Sequence, residues 1–153
     1  MGATYNFSKA ATVNNHGCCD DAKSGQLISG SGQLHAGDVF SIPGGSQSFQ
    51  SNTPATGLGE IAAQVRMPAG EISQLRISVV TDVSATGGTA DFVVRQNGAD
   101  TPLTCQTNGA GDCDTGAASL TISDDDRICV KASRSLTGVG NSYFTFSFLF
   151  SPS

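Results

Sequence analysis

The residues that most limit how this 153-residue chain can fold stand near its end, in the run Tyr143-Phe-Thr-Phe-Ser-Phe-Leu-Phe150. Side chains of an extended strand point alternately to its two faces. Phe144, Phe146, Phe148 and Phe150 therefore share one face, and Tyr143, Thr145, Ser147 and Leu149 the other. A helix would scatter the four rings around its axis. Half of the eight phenylalanines thus stand in one row, too large an apolar patch to leave in water. The row has to lie against an opposing sheet as core, or against another subunit as interface.

The same period-two reading finds the other strands. Ile61, Ala63, Val65 and Met67 alternate with other residues and stop at Pro68-Ala-Gly70, where a glycine with positive φ could reverse the chain. Ile72 to Val83 fits a strand through Leu75, Ile77 and Val79 but also a helical stripe. The β-branched run Ile77-Ser-Val-Val-Thr81 decides for strand. Asp91 to Gln96 alternates and meets Asn97-Gly98, the dipeptide of the type I′ hairpin turn. With Leu120–Ile122, Ile128–Val130 and Tyr143–Phe150, six strands are expected at spacings typical of a β-sandwich or barrel. Composition agrees, since Gly, Ser and Thr (19, 19 and 14 residues) make up about a third of the chain and disfavour long helices.

Residues 1–55 read differently. They hold long Gly/Ser/Asn/Gln stretches with isolated apolar anchors at Tyr5, Phe7, Leu27, Val39, Phe40 and Ile42. A segment of this kind stays soluble alone and can order on a partner by adding strands, so the expectation is an extended, partner-binding arm with two or three short strands.

Eight basic against 13 acidic residues give a net charge of −5, with no basic cluster, so no nucleic-acid footprint is present. No run approaches the roughly 18 apolar residues of a membrane helix. The sequence Met1-Gly-Ala-Thr-Tyr-Asn-Phe7 has neither a basic n-region nor an apolar h-region, so Sec export is not expected.

Cys105 and Cys113 flank a short loop with Asn108-Gly109 at its centre, which would set the two thiols opposite each other in a hairpin; a disulfide is expected. Cys129, between Ile128 and Val130, reads as a buried inert thiol. His16-Gly-Cys18-Cys19-Asp20-Asp21 contains a zinc-like ligand set, but adjacent cysteines cannot readily converge on one tetrahedral ion. Asp124-Asp125-Asp126, with Asp112 and Asp114 within possible reach, offers oxygens to calcium but reads more simply as a solvated turn. No metal and no cofactor are expected. His16 and His35 lack a nucleophile elbow, and Glu60 and Glu71 stand at strand boundaries, so no catalytic residues are assigned.

Over about 60% of the chain the order of pieces is distinctive: Pro68-Ala-Gly70, Ile72 to Arg76, Phe92-Val-Val-Arg-Gln-Asn-Gly-Ala-Asp-Thr-Pro-Leu-Thr-Cys105, Cys113-Asp114 and Asp126-Arg-Ile-Cys-Val-Lys131. This resembles a small β module that recurs in bacteriophage and bacterial surface proteins. The closing strand, Tyr143 to Phe150, also resembles that of C1q- and tumour-necrosis-factor-like jelly rolls, which are trimers with the last strand near the threefold axis. The first resemblance implies an all-β, antiparallel jelly-roll sandwich over residues 56–153, preceded by the arm at 1–55; the second implies a ten-stranded sandwich to which residues before 55 contribute the first strands.

They also imply a function: a non-enzymatic virion structural protein on the surface of a phage particle, made in the host cytoplasm, most simply a capsid decoration. Its partners would be other virion proteins of shell or fibre and two further copies of itself, with neither nucleic acid nor membrane involved. The alternatives are the receptor-binding tip of a tail fibre and a secreted bacterial surface subunit. Fold alone does not choose among them.

Overall fold

The computed structural model describes residues 25–34, 37–46, 48–50, 58–79, 89–108, 111–134 and 142–153. In chain order its elements are β1 (Gln26–Leu34), β2 (Gly37–Ser41), β3 (Ser48–Gln50), α1 (Leu58–Ala63), β4 (Val65–Met67), β5 (Gly70–Val79), β6 (Ala90–Gln96), β7 (Ala99–Thr107), β8 (Gly111–Asp114), β9 (Ser119–Ile122), β10 (Asp126–Arg134) and β11 (Ser142–Pro152).

Two antiparallel sheets pack face to face as a β-sandwich. The first runs β1-β11-β5-β8, with β9 also on β5; the second runs β3-β2-β10-β6-β7, with β4 also on β10. The Phe row of β11 occupies the middle of the first sheet and faces the second. All four rings are buried within one chain, and Phe144 meets Phe92 of β6 across the sandwich at 5.1 Å between ring centres. Val79, Val94, Leu103, Ile128 and Val130 close around them. Burying such side chains supplies the main driving force, about 1.5–3 kcal/mol each.

The Asn97-Gly98 hairpin joins β6 and β7, with φ of 53° and 85° at the two turn residues as a type I′ turn requires. The ambiguity after Ile72 has a physical origin. Gln74 takes φ 54°, and the register between β5 and β11 slips by one residue there, so Ile72 and Leu75 both face the core although three positions apart. A bulge had imitated helical spacing.

Three sequence-based expectations are corrected. The strand expected from Ile61 begins instead as α1, because Glu60 and Ala63, three apart, face the second sheet while Ile61 stands in solvent. Gly70 does not take a positive φ; a Cβ there would fall 2.7 Å from the Phe150 ring, so close approach is what excludes a side chain. The boundary at residue 55 does not separate an arm from the sandwich. β1 pairs with β11 along its whole length, from Gln26 opposite Phe150 to Leu34 opposite Ser142, and β2 pairs with β10. Strand hydrogen bonds make β1 part of the first sheet and β2 and β3 part of the second, and Leu34, Val39 and Phe40 are buried.

Candidate functional site

The inner face of the first sheet is core, and its outer face is polar. Period two turns Ser29 and Ser31 of β1, Thr145 and Ser147 of β11, Arg76 and Ser78 of β5, and Asp112 and Asp114 of β8 outward. Registration sets them into two cross-strand rows. One runs Ser31, Thr145, Ser78, Asp112; the other runs Ser29, Ser147, Arg76, Asp114. The rows floor a groove of about 950 Å³, open to solvent.

Local structure fixes both ends of the groove. On the β1 side, the turn after Ile42 folds back so that Gly44 donates its N–H to the Ser29 carbonyl (2.9 Å), while the Ser31 N–H donates to the Gly45 carbonyl (3.1 Å). This lip caps the edge of β1 and raises one wall. Gly44 takes φ 79° to make the turn. On the other side, Cys113 points inward between Asp112 and Asp114 and forms a disulfide with Cys105 of β7. The bond ties the edge of one sheet to the edge of the other, and β8, with both carboxylates, is held against β5.

Among the described residues the charged groups on the floor are largely unused. Arg76 and Asp114 are directly opposed across the strands, yet among the described residues Arg76, Ser78, Asp112 and Thr145 make no side-chain hydrogen bond or ion pair. Asp114 uses one oxygen to accept the Gly116 N–H at 2.9 Å. Beyond the ends of the rows stand Tyr143, 54% exposed, and Leu27, 69% exposed, which lies opposite Leu149.

Several other charged groups serve the fold. Arg95 donates to Glu60 of α1 at 2.7 Å, to Asp100 and to the Gly98 carbonyl. Burial pulls its pKa down, but the two carboxylates outweigh that and hold it above the ordinary value. α1 thereby lies over Phe40 and Cys129, and burial pushes the Cys129 thiol up to about 12. In the acidic turn each carboxylate has its own task. Asp124 accepts the Ala69 N–H, Asp125 meets Arg66, and Asp126 accepts from Asn97, Gln96 and the Ser123 N–H, which lowers its pKa. They diverge instead of converging on an ion, and among the described residues no cluster of metal-ligating side chains occurs.

The anchors assigned to the arm separate. Val39 faces the core, Phe40 is buried beneath α1 with Ile42 half-buried beside it, and Leu27 alone is exposed; the first two are therefore corrected from partner contacts to internal packing. Tyr5, Phe7, His16, Cys18, Cys19 and His35 lie outside the described residues. Sequence reasoning did not find the groove, although each strand carries its signal as an i, i+2 pair of polar residues alternating with the core positions.

Comparison with protein-family models gives no match, and comparison with the curated proteins gives none.

Proposed function

We propose that this chain is a non-enzymatic structural protein of a phage particle, a capsid decoration on the virion surface, fastened by the residues ahead of β1. One sequence observation carries the reading: residues 1–24 set the apolar anchors Tyr5 and Phe7 in a polar, weakly charged stretch. A stretch of this composition can stay soluble alone and order on a partner surface by adding strands.

The jelly-roll part of the reading draws support from strand pairing. Of the eight principal strands, the first pairs the eighth (β1 with β11), the second the seventh (β2 with β10), the third the sixth (β5 with β8) and the fourth the fifth (β6 with β7). That is the nesting of a long hairpin rolled into two sheets, an arrangement used in viral capsid domains.

Immunogold labelling of particles assembled from the genome that encodes this chain tests the assignment. Gold distributed over the shell is expected, with loss of labelling when residues 1–24 are deleted from a chain that still folds. Gold confined to tail tips replaces decoration with the receptor-binding alternative. Particles without the protein overturn both.

A further inference from the structure

We infer that the groove on the outer face of β1, β11, β5 and β8 is a binding site for a neutral oligosaccharide. The inference goes beyond the decoration reading and stands apart from it, since it concerns what the exposed sheet presents and not what holds the protein in place.

Three observations carry it. The first is unused hydrogen-bonding capacity on a rigid floor. Arg76 offers five N–H donors, Asp112 and Asp114 offer carboxylate oxygens, and the flanking hydroxyls offer both; among the described residues, one Asp114 oxygen is the single one of these groups with a partner. A sugar hydroxyl both donates and accepts, so a vicinal pair can give its protons to a carboxylate and receive N–H groups from the guanidinium. The backbone beneath is tied by sheet hydrogen bonds, by the Gly44–Gly45 lip and by the disulfide at Cys113, so little ordering is needed on binding.

The second observation is charge. The floor sets one arginine of β5 beside two aspartates of β8 in a chain of net charge −5, which opposes phosphate, sulfate and sialylated ligands and leaves no strong field for a cation either. A neutral polyol suits it. The third is Tyr143, exposed on the same face and two residues along β11 from Thr145, about 7 Å away. Its ring offers the C–H face of a sugar a stacking platform at the end of the groove.

The rival occupant is a second copy of this chain, as a trimer of the C1q kind would require. Interface cores are apolar and depleted in Asp and Ser. Here the order is reversed: among the described residues the side chains presented in the middle are Ser, Thr, Arg and Asp, while Ile77, Cys113 and Phe146 of the lining turn inward and the exposed Tyr143 and Leu27 stand at the ends.

The test titrates the isolated, oxidised protein with maltohexaose, cellohexaose and chitohexaose, and with heparin hexasaccharide as the anionic control, read by amide chemical shifts and calorimetry. At least one neutral hexasaccharide should bind, with shifts gathered on β5, β8 and β11. The double variant Asp112→Asn/Asp114→Asn should weaken it by about tenfold or more, while Asp91→Asn on the other sheet should change nothing. Equal melting temperatures check that the variants fold. No neutral binding across the panel overturns the inference, as does preference for heparin. So does efficient cross-linking between copies through Ser147→Cys in the free protein, which would give the face to a second copy. Because no particle is involved, failure here leaves the decoration reading to its own test.

Discussion

Gly32 of β1 lies directly opposite Phe144 of β11, and a Cβ placed on Gly32 would fall 2.7 Å from the tip of that ring. Gly30 stands in the same relation to Phe146. The two glycines occupy core-facing positions of β1, and the rings of the neighbouring strand lean over the space that side chains would fill. Gly32→Ala should therefore overpack the core and cost about 1–3 kcal/mol, read as a lower midpoint in urea unfolding. Because φ is not positive at this position, an unchanged midpoint would mean that the ring moves aside freely and that the close approach has no energetic weight.

That pair also explains what the sequence hid. Where core positions hold large apolar residues, as in Phe144 to Phe150 or Phe92 to Val94, alternation announces the strand. In Ser29-Gly-Ser-Gly32 the alternation is there, but its inward member is glycine because aromatic bulk comes from the partner strand. Such a strand looks like a linker, so residues 26–41 read as an arm. The same face-blind reading missed the groove: Thr145 and Ser147 counted only as the polar side of a Phe row. Their relation to Arg76 and Asp112 exists only once the register of four strands distant in sequence is known. The disulfide and the Asn97-Gly98 hairpin were legible because their constraints are local, with the cysteines eight positions apart and two residues in the turn.

Phe146 is buried and lies 6.4 Å from the rings of both Phe144 and Phe148. Phe146→Ala should cost about 3–5 kcal/mol through lost transfer energy and the cavity left behind. A variant that keeps the wild-type melting temperature would show that the row is not the core of the sandwich.

The Cys105–Cys113 bond joins the edge strands of the two sheets, with 5.8 Å between the Cα atoms. The double variant Cys105→Ser/Cys113→Ser should lose about 2–3 kcal/mol, and hydrogen exchange should quicken first in β8. β6 and β10, in the middle of the second sheet, should keep their protection. Equal exchange in β8 with and without the bond would show that pairing to β5 suffices to hold the two aspartates in place.

Asp126 accepts hydrogen bonds from Asn97, from the Ser123 N–H and from Gln96, and they hold its pKa below the ordinary carboxylate value. Its charged form is thus favoured by folding. The stability it contributes is complete above the unfolded-state pKa and is lost as pH falls through the lower, folded-state value. Melting temperatures of wild type and Asp126→Asn measured between about pH 2 and 7 should differ most at neutral pH and converge at the acid end. A constant difference across that range would assign the effect to packing and not to the charge.

Cys129 tests the role of α1. Burial pushes its pKa up to about 12, so thiolate is scarce at pH 8, and the side chain is fully buried beneath the helix, so native protein should scarcely alkylate there. The helix is only six residues long, and its fixed point is the 2.7 Å contact between Glu60 and Arg95, both 15% exposed. Glu60→Ala removes that contact and leaves Arg95 to Asp100, at a cost of about 1–2 kcal/mol. If α1 lifts as a local unit, site-resolved iodoacetamide labelling of Cys129 should then accelerate by about 5–30-fold, with global melting changed far less. Equal labelling rates in the two proteins would mean that the thiol is reached only through unfolding of the whole sandwich, and that the Glu60–Arg95 pair anchors no separately moving lid.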